Sequence, residues 1–252
     1  MDRKPPISIR RILRKEVGFG CPVSGCGSPY LTWHHFDPPW NVREHHNPNG
    51  MIALCRQHHD QADAGAFTVD QLKDLKRNGQ LENIAGKFNW MRRTILFAGG
   101  GNYFINPYII LRYGGKNIIW FTRDEDGYFL LNINFINRKG ELRFQIEENF
   151  WNIIELPKDI KCPPSGKKIN VQYDNGDRLF VEFLEIGDKQ IFENEFKTTI
   201  PSIIKYSYPI TIARIFFKDN DAMVELSDKT ILPGFEFSNI WSQGGTGVAY
   251  NL

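Results

Sequence analysis

Two short pairs of metal-ligand residue types stand in the N-terminal part of the chain: Cys21-x4-Cys26, and further on Cys55-x2-His58. Zinc takes four soft or borderline ligands in a tetrahedron, and two closely spaced pairs supply them from tight turns or helix starts. A site closed by four protein ligands leaves no open position, so its expected role is structural, holding together a segment with little core of its own. Histidine usage points the same way. All six histidines lie between His34 and His59, and three of the four cysteines flank or join them. Clustering of this kind usually reflects metal chemistry. Cys162, in KDIKCPPSGKK, has no partner nearby and reads as a plain thiol.

The stretch LCRQHHDQADAG (54–65) holds two adjacent histidines. Consecutive side chains on a helix are rotated by about 100°, so with His58 on the four-ligand site, His59 must face elsewhere. The segment YLTWHHF (30–36) is β-branched and aromatic enough for a strand. It carries His34 and His35, which point to opposite faces if the strand is regular. A hairpin followed by a helix then brings His59 to one of them, or to both if the strand is bent. Asn49 sits at the end of the connecting loop. His45 and His46, in NVREHHNPN, read equally as polar loop residues and as parts of the same centre. Asp37 reads as a turn residue before Pro38-Pro39, with a place beside the base as the alternative. Trp33 and Trp40 read as packing around a small unit.

The elements that would position these groups are short. ISIRRILRKEVGFG reads as a helix with Ile9, Ile12, Leu13 and Val17 on one face and a stop at Gly18. Its other face carries Arg10, Arg11, Arg14 and Lys15; Arg10, Arg11 and Arg14 are candidates for phosphate-backbone contact, or else form a solvated face. CPVSGCGSPY is a turn-rich knuckle, DPPWNVREHHNPNG a loop, GMIALC (50–55) a second strand, and RQHHDQADAG a helix ending at Gly65. Thr68 and Gln71 form a capping box for TVDQLKDLKRNG, closed by Gly79.

The order Cys-x4-Cys, TWHHFDPP, NPNGMIALC and C-x2-HH resembles the HNH endonucleases and their ββα-metal finger, over roughly residues 10–78. The resemblance implies His35 as the general base and His59 as a ligand of the catalytic metal. It places His34 where the family often has a metal-binding Asp, and Asn49 as the middle asparagine that orients the base and the loop. It implies DNA as substrate, with 5′-phosphate and 3′-hydroxyl products. A histidine in place of the commoner carboxylate gives the divalent ion two imidazole ligands, which suits manganese, nickel or cobalt better than magnesium. The chemistry is consistent with these residue types. Phosphodiester hydrolysis needs water deprotonated near neutral pH, which suits histidine, and a cation on the scissile phosphate. The rival reading is a zinc-stabilised module that binds nucleic acid or protein, its nuclease centre degenerate.

Length allows one large domain or two small ones. AGGGN (98–102) marks the expected boundary, giving a nuclease unit at 1–97 and a second domain at 98–252, with residues 80–97 joining them. Beyond it, alternation of Phe129, Leu131, Ile133 and Phe135, then of Leu142, Phe144 and Ile146, reads as strands. NVQYDNGDRLFVEF, with Asn175-Gly176 at its turn, and IARIFFKDNDAMVEL read as hairpins. SQGGTGVAYNL reads as a loose Gly-rich tail. The expected fold class is α+β: a zinc-stabilised ββα unit followed by a larger all-β domain, a sandwich or a β-solenoid.

The first 97 residues carry 14 Lys+Arg against 9 Asp+Glu, and the remainder 17 against 20. The second domain is therefore not expected to read a DNA groove. Recognition, a regulatory ligand or partner protein, or a homo-oligomer contact are its expected roles, and appended domains in bacterial HNH proteins suggest anti-phage or restriction systems. The charged N-terminus lacks an apolar signal core and no run of about 18 apolar residues occurs. With few cysteines, the expected location is the cytoplasm, without membrane contact.

Overall fold

The computed structural model describes residues 2–79, 84, 86–88, 90–99, 102–137, 139–218, 225–226, 230–232, 235–237 and 240–250. The chain is α+β, with sheets predominating. Helix α1 (Ile7–Glu16) leads to strands β1 (Leu31–His35) and β2 (Met51–Cys55), then helices α2 (Arg56–Asp63) and α3 (Val69–Asn78). Strands β1 and β2 form an antiparallel hairpin with His35 opposite Met51 and Leu31 opposite Cys55. Leu13, Val17, Leu31, Met51, Ile52, Leu54 and Leu72 share one small core. Ile12, expected on the apolar face of α1, is 42% exposed, and Arg14 is buried in its place.

Each helix has a local reason to begin or end where it does. Gly18 (φ 63°) and Phe19 (φ 67°) turn left-handed and stop α1. In α3, Thr68 and Gln71 make a reciprocal capping box, Asp70 lies in the first turn, and Lys76 and Arg77 lie in the last. That arrangement satisfies orphan N–H groups and complements the helix dipole. Gly79 is not left-handed; a Cβ there would lie 2.8 Å from Val17 Cα, so the glycine lets α3 approach α1. Lys76 ties α3 to the hairpin loop through Pro48 O (2.9 Å) and Met51 O (3.1 Å), and pairs with Glu16.

The larger body comprises β3 (Leu96–Gly99), β4 (Asn102–Ile105), β5 (Ile109–Tyr113), β6 (Lys116–Arg123), β7 (Phe129–Ile136), β8 (Leu142–Glu147), β9 (Phe150–Ile153), β10 (Asp159–Lys161), β11 (Lys168–Gln172) and β12 (Arg178–Ile186). Helix α4 (Lys189–Phe196) and strand β13 (Ile210–Lys218) follow, then β14 (Glu225–Leu226), β15 (Thr230–Leu232), β16 (Phe235–Phe237), β17 (Trp241–Gln243) and β18 (Thr246–Tyr250). One sheet runs β10-β11-β12-β13-β3-β4-β17 and another β18-β5-β6-β7-β8-β9, with β14–β16 as a small third. The two large sheets share a core in which Phe135 of β7 meets Tyr173 and Phe217, and Trp90 stacks on Phe183. The large sheets are mostly antiparallel and face each other, an arrangement of sandwich type rather than the coil-by-coil stacking of a solenoid. Helix α4, absent from the all-β expectation, covers part of the outer face of the first sheet with Phe192 and Phe196.

Two expectations are corrected. The boundary at 97/98 falls inside the β3–β4 hairpin, in which Leu96 pairs with Ile105 and Gly99 with Asn102. The chain enters the larger core earlier, through Ile84, Phe88, Trp90 and Ile95. The Gly-rich tail is not loose: β17 pairs parallel to β4 and β18 parallel to β5, with Gly244-Gly245 crossing from one sheet to the other. The turn of the last expected hairpin lies outside the described residues, and β13 pairs with β12 and, at Ile212 and Ala213, in parallel with β3.

The two bodies meet through packed contacts. Phe19 lies in the larger core, Tyr30 packs against it, and the Tyr30 hydroxyl donates to Lys87 O at 3.1 Å. Arg14 of α1 forms two hydrogen bonds to Asp159 of β10, at 2.9 and 2.8 Å.

Candidate metal centre and adjoining histidine cleft

The knuckle folds because Cys21 N–H donates to Ser28 O (2.9 Å) and Cys26 N–H to Val23 O (2.9 Å). That brings Cys21 and Cys26 to the start of α2, where Cys55 is the N-cap residue and makes no side-chain cap bond. Cys55 Sγ lies 3.2 Å and Cys21 Sγ 3.3 Å from His58 Nδ1, and Cys26 Sγ lies 3.8 Å from Cys55 Sγ. All four ligand atoms fall within 4.8 Å of one another. A tetrahedral zinc with Zn–S near 2.3 Å and Zn–N near 2.0 Å has edges of about 3.8 Å between sulfurs and about 3.5 Å from sulfur to nitrogen. The spacing is compatible with a structural zinc site and too long for a disulfide.

The electrostatics of the four-ligand cluster pull in opposite directions. Burial pushes the Cys21 thiol well above its ordinary range, while N–H groups of Cys55 and Val23 stabilise its thiolate. Cys26 is likewise raised by burial and opposed by the Ser28 N–H. Backbone donors aimed at buried sulfur serve little purpose for a neutral thiol; they suit a thiolate held by a cation. Cys162 lies apart, buried in the larger core, and burial alone raises its pKa.

A second group lies on the other side of α2. His59 faces away from the cysteines, and its ring stands edge-on to His34, centroids 5.2 Å apart. Asp63, one helical turn beyond His59, completes the set: Oδ1 is 3.1 Å from His34 Nδ1, and Oδ2 is 3.6 Å from His59 Nδ1. These three residues form the second cluster of metal-ligand type among the described residues. Neither imidazole Nδ1 has an aligned hydrogen-bond partner, although both are buried. Burial lowers the His34 pKa, helped by His59 and opposed by Asp63. Three ligand atoms of imidazole and carboxylate type converging on one point are an arrangement a cation could fill. Asp63 was not singled out from the sequence; the i, i+4 spacing His59-x3-Asp63 on the face away from His58 was the available signal.

His35 shares the same cleft, of about 470 Å³, with His34, Asp63, Trp40 and Arg3. Both histidines line it at the end of β1, where the backbone bulges just beyond them. The N–H groups of Phe36 and Asp37 both donate to Gly50 O, at 2.9 and 3.2 Å. Two successive donors on one acceptor are the mark of a β-bulge, which re-aims the flanking side chains. The approach is so close that a Cβ on Gly50 would lie 1.9 Å from Asp37 O. Gly50→Ala should therefore destabilise the chain by more than the roughly 1–3 kcal/mol of ordinary overpacking, measured by urea unfolding. An unchanged midpoint would mean that the loop does not press on the strand.

The His35 ring packs between Trp40 (centroids 4.7 Å) and His45 (5.2 Å, edge-on). Neither of its nitrogens has an aligned hydrogen-bond partner. Burial pushes its pKa down to about 4, the neighbouring His45 ring adds to this, and the His45 backbone opposes it weakly. It is thus a neutral imidazole at neutral pH. His45 is itself locked. Its Nδ1 accepts from Asn47 N–H (3.1 Å), so Nε2 carries the proton that it donates to Pro38 O (2.9 Å). His46 stacks on Trp40.

Asn49 is placed differently from its expected role. It is exposed in a short 3-10 turn (Pro48–Gly50) and lines a separate groove with Glu16, Lys73 and Lys76, not the histidine cleft. His45 occupies the position beside His35 instead. Asp37 pairs with Lys73 at 2.9 Å, which fits its turn role. Trp33 lies near the Arg14 guanidinium (5.9 Å). Arg14 and Arg11 are engaged by Asp159, and Arg14 is buried, so these two of the candidate backbone-contact arginines are committed to the larger body. No helix among the described residues is long and apolar enough to cross a membrane. Compared with protein-family models, curated proteins and solved structures, the chain matches none.

Proposed function

We propose that the N-terminal body is a metal-dependent endonuclease of the HNH type that hydrolyses phosphodiester bonds in DNA, with Cys21, Cys26, Cys55 and His58 holding a structural zinc ion. The observation that carries this reading is a three-residue ligand cluster, His34, His59 and Asp63, two of whose members line one cleft with His35, a neutral histidine whose ring nitrogens have no aligned hydrogen-bond partner. A module that only binds has no use for such a pair of features.

His34, His59 and Asp63 would hold the divalent cation, which supplies positive charge against the scissile phosphate and the 3′ leaving oxygen. Two imidazoles and one carboxylate suit manganese, cobalt or nickel, and the carboxylate keeps magnesium usable. Asp63 thus provides the acidic ligand that His34 displaces from the preceding strand position. A ring nitrogen of His35 takes the proton from the attacking water. Its low proton affinity rises when an anionic phosphate enters the cleft, because the opposite charge favours the imidazolium. Trp40 and His45 fix the ring plane, and the doubly bonded His45 cannot turn away. Arg3 places a guanidinium at the cleft, where it meets a non-bridging phosphate oxygen.

The test is plasmid nicking by the full chain with magnesium, manganese, cobalt and nickel in turn. His35→Ala should lower the rate by about 10²–10⁴-fold, the usual worth of a general base. Asp63→Asn should lower it and raise the metal concentration required. His35→Ala cutting at the wild-type rate would remove the assignment. Failure of every metal at high protein concentration, with DNA still bound, would replace it by the zinc-stabilised binding module.

A further inference from the structure

The second body is slightly acidic overall, yet its charge is unevenly placed. On β12, burial alternates strictly from Arg178 to Phe183: Leu179, Val181 and Phe183 point into the core, while Arg178, Phe180 and Glu182 face outward. Register carries the outward rows across the sheet. Lys161 pairs with Asn170, Asn170 with Phe180, and Phe180 with Phe216. The adjacent row joins Asp159, Gln172, Arg178 and Lys218. Helix α4 covers the far end of this face, over Leu184 and Ile212, and α1 touches only the corner at Asp159. Between them no other described element is seen to pack on this face, and Phe180 and Phe216 lie half-buried side by side at its centre.

Cations surround these two rings. Lys168 Nζ lies 4.8 Å from the Phe180 ring centre, and Arg178 lies 5.8 Å from Phe180 and 5.3 Å from Phe216. Lys161, Lys168, Arg178, Arg214 and Lys218 outnumber the carboxylates on these rows. Asp159 is engaged by Arg14 and Lys161, and Glu182 by Lys168 and Arg214, while Arg214 also pairs with Glu195 of α4, which leaves Arg178 and Lys218 outside these pairs among the described residues. The Asn170 amide accepts from Arg178 and holds it over the rings.

We infer that this face of β10–β13 binds single-stranded nucleic acid. Paired aromatic rings on an open sheet give unstacked bases a platform, and flanking Lys and Arg meet the phosphates. A base pair inside a duplex cannot reach such rings, so the chemistry favours a single strand over a double one. The face adjoins α1 at Asp159, so a bound strand would lie on the same side as Arg11 and close to the body that holds the histidine cleft.

The test is fluorescence anisotropy with the full chain and no added divalent ion, using oligo-dT, oligo-U and a mixed duplex, each of roughly 12 nucleotides. This readout needs no cleavage, so it stands or falls separately from the proposed nuclease activity. Single strands should bind more tightly than duplex, with log affinity falling against log salt at a slope of about 2 if three phosphates are neutralised. Phe180→Leu and Phe216→Leu should each weaken binding by at least about fivefold, and Arg178→Glu should weaken it further and flatten the salt slope. Both leucine substitutions keep an apolar side chain at a half-buried position, and an unchanged unfolding midpoint confirms the fold. Single-strand affinity within twofold of the original chain in both leucine variants overturns the inference, as does tighter binding of duplex than of either single strand.

Discussion

His58→Ala should strip the metal from the cysteine cluster and unfold the N-terminal body, whereas His59→Ala should leave that metal and the fold in place. The two residues are neighbours in sequence and differ by one helical step, yet they face different clusters. Structural zinc contributes roughly 10–16 kcal/mol of apparent binding free energy in small zinc-folded units. The N-terminal core is small, resting on Leu13, Val17, Met51, Ile52, Leu54 and a few others, so losing a ligand there exceeds what the core supplies alone. His59 sits on the opposite side of α2, where removing the ring relieves an unpartnered nitrogen beside Asp63. Its loss should cost cleavage, not stability. Zinc content by elemental analysis and thermal unfolding of both variants give the answer. Equal loss of zinc from both would defeat the division between the clusters. Cys21→Ser should behave as His58→Ala does, since its fully buried sulfur is another of the four ligand atoms.

The local elements of the N-terminal body could be read from sequence because their signals are short-range. The Thr68 to Gln71 capping box, the stop at Gly18 and the Cys/His spacings each depend on residues within a few positions. Alternation likewise marked β7 and β8, where Phe129, Leu131, Ile133, Phe135, Phe144 and Ile146 are all buried. What escaped the sequence was set by distant partners. AGGGN resembles a linker by composition, but β3 is needed between β13 and β4 to complete a sheet. The Gly-rich C-terminal segment has weak strand propensity and is held by parallel pairing with β4 and β5, which no local pattern announces. Asn49 lies near the expected loop position, yet the Phe36–Asp37 bulge over Gly50 turns the loop so that His45, not Asn49, meets His35. Asp63 has an exposed carboxylate on a polar helix, indistinguishable by composition from a solvated charge until His34 is brought opposite. Net charge hid the basic rows of β11–β13, because composition averages over faces.

The basic face of α1 shows how such a distant partner changes what a residue does, and its effect on stability is large. Arg14→Ala should destabilise the whole chain by about 3–5 kcal/mol, the usual cost of stranding one member of a buried ion pair. Asp159 would be left 1% exposed, with only Arg11 at 3.4 Å and Lys161 at 3.6 Å to offset its charge. Burial lowers the Arg14 pKa despite the attraction of Asp159, so desolvation is not fully repaid and the pair contributes little net stability. Replacing both members together, Arg14→Met with Asp159→Leu, should therefore cost far less than either single change. The pair also joins the two bodies, since Arg14 belongs to α1 and Asp159 to β10. Arg14→Ala should split one calorimetric transition into two, with the N-terminal body melting first, and the double substitution should restore a single transition. If the double variant is as unstable as the sum of the single ones, the ion pair is not the coupling between the bodies. In that case the contacts of Phe19 and Tyr30 with the larger core carry it instead.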